Sequence, residues 1–170
     1  FRGAYDARHL LQDLARRTSS ATDPKELATL LEESLTEALH PSAIVVMLRT
    51  SNDRLEPVAP AASGLPSLDA VPLDREASKR MGATLVKPGE LPSSISPLAV
   101  IRPELIAPMQ GLEQRVEGLL VLGPRLSEEP YAREDRDLIS SVASQAGAAL
   151  QNFRLARAMA ERMEAERLAG

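Results

Sequence analysis

The chain has no cysteine and no tryptophan, and only two tyrosines and two phenylalanines among its 170 residues. The missing thiols exclude disulfides, thiolate metal sites, cysteine nucleophiles and thioether attachment of a cofactor. So few rings leave no platform for stacking bases, and they require an aliphatic core. A net charge of -4 gives no ground for nucleic acid or an anionic membrane as partner. The longest purely apolar run, Ala43 to Leu48, is far too short to span a bilayer. The P-loop, the dinucleotide fingerprint G-x-G-x-x-G, the zinc motif H-E-x-x-H and the esterase elbow G-x-S-x-G are all absent. His9 falls on a predicted helix, and His40 precedes Pro41 at another helix end, where a cation suits the dipole, so no metal centre is expected. Adjacent carboxylates such as Glu32-Glu33 and Glu134-Asp135 do not share a helix face, so they read as solvated charge and not as acid/base pairs. These exclusions point to a chain without catalytic machinery.

What is present is the pattern of one ordinary domain, 44% apolar and 26% charged. Leu10, Leu11 and Leu14 have helical spacing within residues 5–17, ahead of Arg16 and Arg17 at the end of that helix. In TDPKELATLLEESLTEALHP, Asp23 is a predicted N-cap, Pro24 occupies the first helical position, and Glu26 lies three beyond the cap. Pro41 stops that helix. SAIVVMLR and RVEGLLVLG are apolar on both faces, as central strands are. RLEPVAP is a weaker strand that Pro57 places at an edge. Residues 60–72 read as loop, Asp74 to Met81 as a short helix, Ala83 to Lys87 as a short strand, and 88–103 as a long connection. PELIAPM pairs with RVEGLLVLG as a hairpin turning near Gly111, and a closing helix runs from about Arg133 to about Leu168. At about 1.5 Å per residue that helix outruns a domain of this size.

The order of elements, together with ELIAPMQGLEQRVEGLLVLGPRLSEEPYAREDRDLISSVASQAGAALQN, resembles the GAF domain, a small sensory module of signalling proteins. The residues that carry the resemblance are Gly118-Leu119-Leu120-Val121-Leu122, Tyr131, Glu134-Asp135 and the small residues of ASQAGAALQNFRL. It covers roughly residues 23–153. The resemblance implies an α+β fold: a central, mostly antiparallel sheet of five or six strands, N- and C-terminal helices on one face, and a short helix with loops on the other. A PAS domain is the alternative fold, but it lacks helices from both chain ends wrapped on the sheet. One departure is Ala132, where the family often has Ser or Thr as helix cap; Ser127, Glu134 or Asp135 would have to compensate. Gly147 within the closing helix suggests a close contact.

The resemblance also frames function. It implies residues 1–22 as an N-terminal linker or dimerisation helix, 23–153 as the GAF domain, and 154–170 as a coiled-coil-like signalling helix. The expected role is non-catalytic: a cytoplasmic regulatory sensor that dimerises and relays a small-molecule or partner signal to a linked output domain such as a kinase, serine phosphatase, cyclase or transcription activator. The competing reading is a ligand-free dimerisation scaffold. The family places any pocket between the sheet and the variable middle segment, with Met47, Val58, Met81, Leu85, Ile106 and Met109 as candidate lining residues. Arg75, Lys79, Arg80 and Arg102 are the candidate polar contacts. Leu10, Leu14, Val142, Ala146, Ala149, Phe153, Ala156 and Met163 are the candidate dimer positions, the last six set 3 to 4 apart in most steps. Bilin and methionine sulfoxide reduction in this family use cysteine, which the chain lacks. Cyclic-nucleotide binding uses a set that includes Phe, and Phe1 and Phe153 lie outside the pocket region. No cofactor is therefore assigned.

Overall fold

The computed structural model describes residues 2–58, 64–80, 82–85 and 90–170. Among these residues, four α-helices, one 3-10 helix and six strands follow in the order α1 (Arg2–Thr18), α2 (Pro24–Leu39), β1 (Ile44–Arg49), β2 (Arg54–Pro57), β3 (Leu68–Asp69), α3 (Ala70–Ala77), β4 (Thr84–Leu85), the 3-10 helix η1 (Ser93–Ile101), β5 (Leu105–Gln110), β6 (Val116–Leu122) and α4 (Arg133–Ala169). The strands form one sheet in the order β3-β2-β1-β6-β5-β4, every pairing antiparallel. The two most apolar strands, β1 and β6, lie at its centre.

Side chains alternate across a strand, so each strand serves two cores. Ile44 and Val46 of β1, Leu105, Ala107 and Met109 of β5, and Leu120 and Leu122 of β6 face a layer built from α1, α2 and α4. Val45 and Met47 of β1 and Leu119 and Val121 of β6 face Ala70 and Leu73 of α3 and Ile95 and Leu98 of η1. The α2 start follows its sequence signals. Asp23 accepts from the Glu26 N–H at 2.8 Å, and Glu26 accepts from the Thr22 N–H at 3.2 Å. His40 ends the helix in the left-handed region, its N–H bonded to the Thr36 carbonyl.

Three expectations change. Pro57 does not make β2 an edge strand: β3 pairs with Arg54 and Leu55, before the proline, and so covers the outer side of β2. The 88–103 connection holds η1, whose buried Ile95 and Leu98 plug the second core. The short helix begins four residues earlier than its charges suggest, because Asp69 caps it by accepting from the Val71 N–H.

The closing helix spans 37 residues, about 55 Å. Ile139, Val142, Ala143, Ala146, Gly147, Leu150 and Gln151 are buried, whereas every residue from 155 onward is exposed. Gly147 permits this packing: a β-carbon there would overlap the backbone of Gln110 at the end of β5. Its start, without a hydroxyl at Ala132, is held by Asp135, which accepts the Ala132 N–H at 3.0 Å. α1 belongs to the same body, since Leu14 lies in the α2/α4 core and Thr18 is also buried.

Candidate functional site: a cleft beneath the third helix

A cleft of about 160 Å³ opens on the face of the sheet opposite α1, α2 and α4. Ile106 and Pro108 of β5 and Leu119 of β6 form its floor; Leu73, Glu76, Ala77 and Arg80 line one wall. Thr84 and Leu85 of β4, Glu90, and Pro92 and Ile95 near η1 complete it. Apolar contacts dominate, with Glu76, Arg80, Thr84 and Glu90 as the polar groups. Glu76 already accepts from the Ser94 hydroxyl at 3.1 Å.

Of the residues proposed from sequence, Leu85, Ile106 and Arg80 line the cleft. Met109 does not, because it stands an odd number of positions from Ile106 and so projects into the helix-side core. Val58 also packs on that side. Met47 faces the cleft side but is fully buried in the core beneath it. Arg75 and Lys79 are exposed, off the face that Leu73, Glu76, Ala77 and Arg80 present at helical spacing. Arg102 is the exposed left-handed residue closing η1. Met81 lies outside the described residues.

The dimer candidates divide at one point. Leu14, Val142 and Ala146 are buried in the chain's own core, and Leu10, Ala149 and Phe153 pack against it half-buried. Their spacing is accounted for by packing within the chain. Ala156 and Met163 are exposed on the free half of α4, with Leu155 and Met159 beside them.

A wider hollow of about 740 Å³ lies where α4 leaves the sheet, lined in part by Arg49, Arg115, Glu117, Phe153, Arg154 and Arg157. Its charges are largely paired already. Arg49, with a side chain 7% exposed, donates to Asp53 at 2.8 and 3.2 Å, to Asp74 at 2.7 Å and to the Val116 carbonyl at 3.0 Å. Arg115 donates to Asp53 at 3.2 Å and lies 3.8 Å from Glu117. Arg154 donates to Glu117 at 3.0 and 3.3 Å and sits 3.6 Å from Glu113. Hydrogen bonding and charge from Arg49, with Arg115 adding to them, hold the Asp53 carboxyl below the usual carboxylate range. Glu117 reaches α4 because β6 bulges there. Met109 pairs with Gly118 and Gln110 with Val116, so Glu117 is the extra residue. Sequence reading passed over this set, although a glutamate inside the otherwise apolar strand VEGLLVL signals a buried charge in need of a partner.

Among the described residues no group of three His, Asp or Glu side chains could hold a metal ion, and no helix is long and apolar enough to cross a membrane. No protein-family model matches the chain, and no curated protein matches it. Solved structures do. The GAF domain of a putative sensor histidine kinase from Pseudomonas syringae pv. tomato superposes with a TM-score of 0.62 at 16% identity, over 93% of this chain and 94% of that one. The fold is that of a GAF domain. The GAF domain of the potassium sensor histidine kinase KdpD from Escherichia coli gives 0.61 at 19% identity, over 88% and 97%. A far-red-absorbing dark state with bound biliverdin gives 0.59 at 13% identity, over 85% and 99%. That structure holds a bilin; here no cysteine exists to form a thioether link to one. The cleft lies between the sheet and residues of α3, β4 and η1.

Proposed function

We propose that this GAF domain is a non-catalytic regulatory module whose closing helix carries the output. The observation that supports this reading is the division of α4, buried through Gln151 and fully exposed from Leu155 onward. A helix that only roofed the core has no reason to continue for another four turns with Leu155, Met159 and Met163 facing water. In this reading the free half pairs with that of a second copy and leads into a covalently linked output domain. The signal is a change in how that half is packed or oriented. The GAF domains of two sensor histidine kinases among the similar structures fit such an arrangement.

The cleft is the input site. At about 160 Å³ it lies below the roughly 300–1,000 Å³ of pockets for drug-sized ligands. It therefore suits a small amphipathic molecule whose apolar part rests on Ile106 and Leu119 and whose polar end meets Arg80 or Glu90. The same small volume favours a second reading, a scaffold that sets dimer geometry and takes no ligand. Thermal unfolding against a panel of small amines, carboxylates and amino acids separates them. The sensor reading expects at least one compound to raise the Tm of the native chain and to lose that effect in Ile106→Trp, which fills the cleft. No shift by any member of the panel favours the scaffold.

A further inference from the structure

The cleft wall and the exit of α4 lie on opposite faces of the sheet, yet side chains tie them together at two places. Within α3, Asp74 begins a run of alternating charge: Asp74, Arg49, Asp53, Arg115, Glu117 and Arg154. The run passes around the end of the sheet where β6 starts. Asp74 fixes that start directly, accepting the Val116 N–H at 2.9 Å. It finishes on α4 one residue before the exposed half. Beyond the C-terminal end of α3, the Ala83 N–H donates to the Ser140 hydroxyl on α4 at 2.7 Å. Ser140 in turn donates to the Arg136 carbonyl at 2.8 Å. Glu76, Ala77 and Arg80, which lie in the chain between these two ties, line the cleft, with Leu73, Thr84 and Leu85 just beyond the tied residues.

We propose that these tethers couple α3 to α4, so that displacing the cleft wall changes how firmly α4 is held where it leaves the domain. Exposed ion pairs would transmit little. Here Arg49 and Glu117 are only 7% and 4% exposed, so neither can replace a lost partner with water. Loss of a link at either of these two buried residues is therefore taken up by movement of its remaining partners. The coupling is a property of the chain itself and holds whether or not the cleft takes a ligand.

Amide hydrogen exchange of the intact chain tests it through the protection of residues 152–157, with Asp74→Asn as the remote perturbation. The expected result is an exchange rate there raised by at least about fivefold, the lower end of ordinary site-to-site coupling. In an Arg115→Gln background, which cuts the run midway at a side chain one-third exposed, Asp74→Asn should add nothing further at 152–157. An increase confined to α3 and the start of β6 overturns the proposal. So does an equal increase in both backgrounds, which would mark general destabilisation. If Asp74→Asn does not fold, Asp53→Asn breaks the same run at a half-exposed residue and is read by the same criteria.

Discussion

Gly147 shows how one missing methyl positions a helix. Elsewhere in a helix, Gly→Ala stabilises by about 1 kcal/mol. At this site the added carbon meets the Gln110 backbone, which cannot rotate away as a side chain would. Gly147→Ala should therefore destabilise by about 2 kcal/mol net, the overpacking penalty exceeding the propensity gain. Urea unfolding gives the sign at once, and a stabilised variant would refute the contact. Tyr131 is the second residue that acts alone. Its buried hydroxyl donates to the Gly123 carbonyl at 2.6 Å, and burial, with Glu104 nearby, pushes its ionisation far above the ordinary phenol value. The folded state thus retains the phenolic proton that the unfolded chain gives up near pH 10, so stability is complete below that pH and falls as pH rises beyond it. Tyr131→Phe should lose about 1 kcal/mol at neutral pH and show a shallower decline between neutral pH and about pH 11. Denaturant midpoints across that range decide it; equal slopes for both chains would contradict the assignment.

At the scale of elements, legibility followed the strength of local signals. The α2 start was readable because Asp23, Pro24 and Glu26 each satisfy a specific need of a helix N-terminus. β1 and β6 were readable because only a strand covered on both faces tolerates so continuous an apolar run. β3 and η1 were not: β3 is only two residues long, η1 is Ser-rich and holds Pro97, and both are made regular by the core they plug at Leu68, Ile95 and Leu98. The cleft was half legible for a related reason. Period-two alternation from Ile106 already excludes Met109, and the helical stripe through Leu73 and Ala77 selects Arg80 over Arg75 and Lys79. The ion run spans parts of the chain that sequence spacing cannot relate. The cap of α4 offers a test of its own. Ala132 has the extended backbone of an N-cap and receives half of a capping box from Asp135, but has no oxygen to return. Ala132→Ser should supply it and add about 1 kcal/mol, read as a raised Tm. No gain would mean that Asp135 alone satisfies this end.

On the scale of the whole molecule, α4 serves two environments in one unbroken helix. Its first half is roofed by α1 and α2 and seated on β5 and β6; its second half is exposed at every residue from Leu155 onward. The sequence pattern that suggested one long dimer seam is therefore two patterns joined near Arg154. Upstream, small residues allow close packing on the sheet; downstream, Leu155, Met159 and Met163 form an apolar stripe flanked by Arg157, Glu161 and Glu164. That stripe is the surface on which the proposed output depends. Light scattering of the intact chain over a range of concentrations, beside the Met159→Glu, Met163→Glu double variant, tests it most directly. The account predicts that the native chain dimerises, and that the variant stays monomeric with an unchanged Tm when both are compared as monomers at low concentration. A native chain that is monomeric at every concentration, or a variant that dimerises equally well, would contradict it.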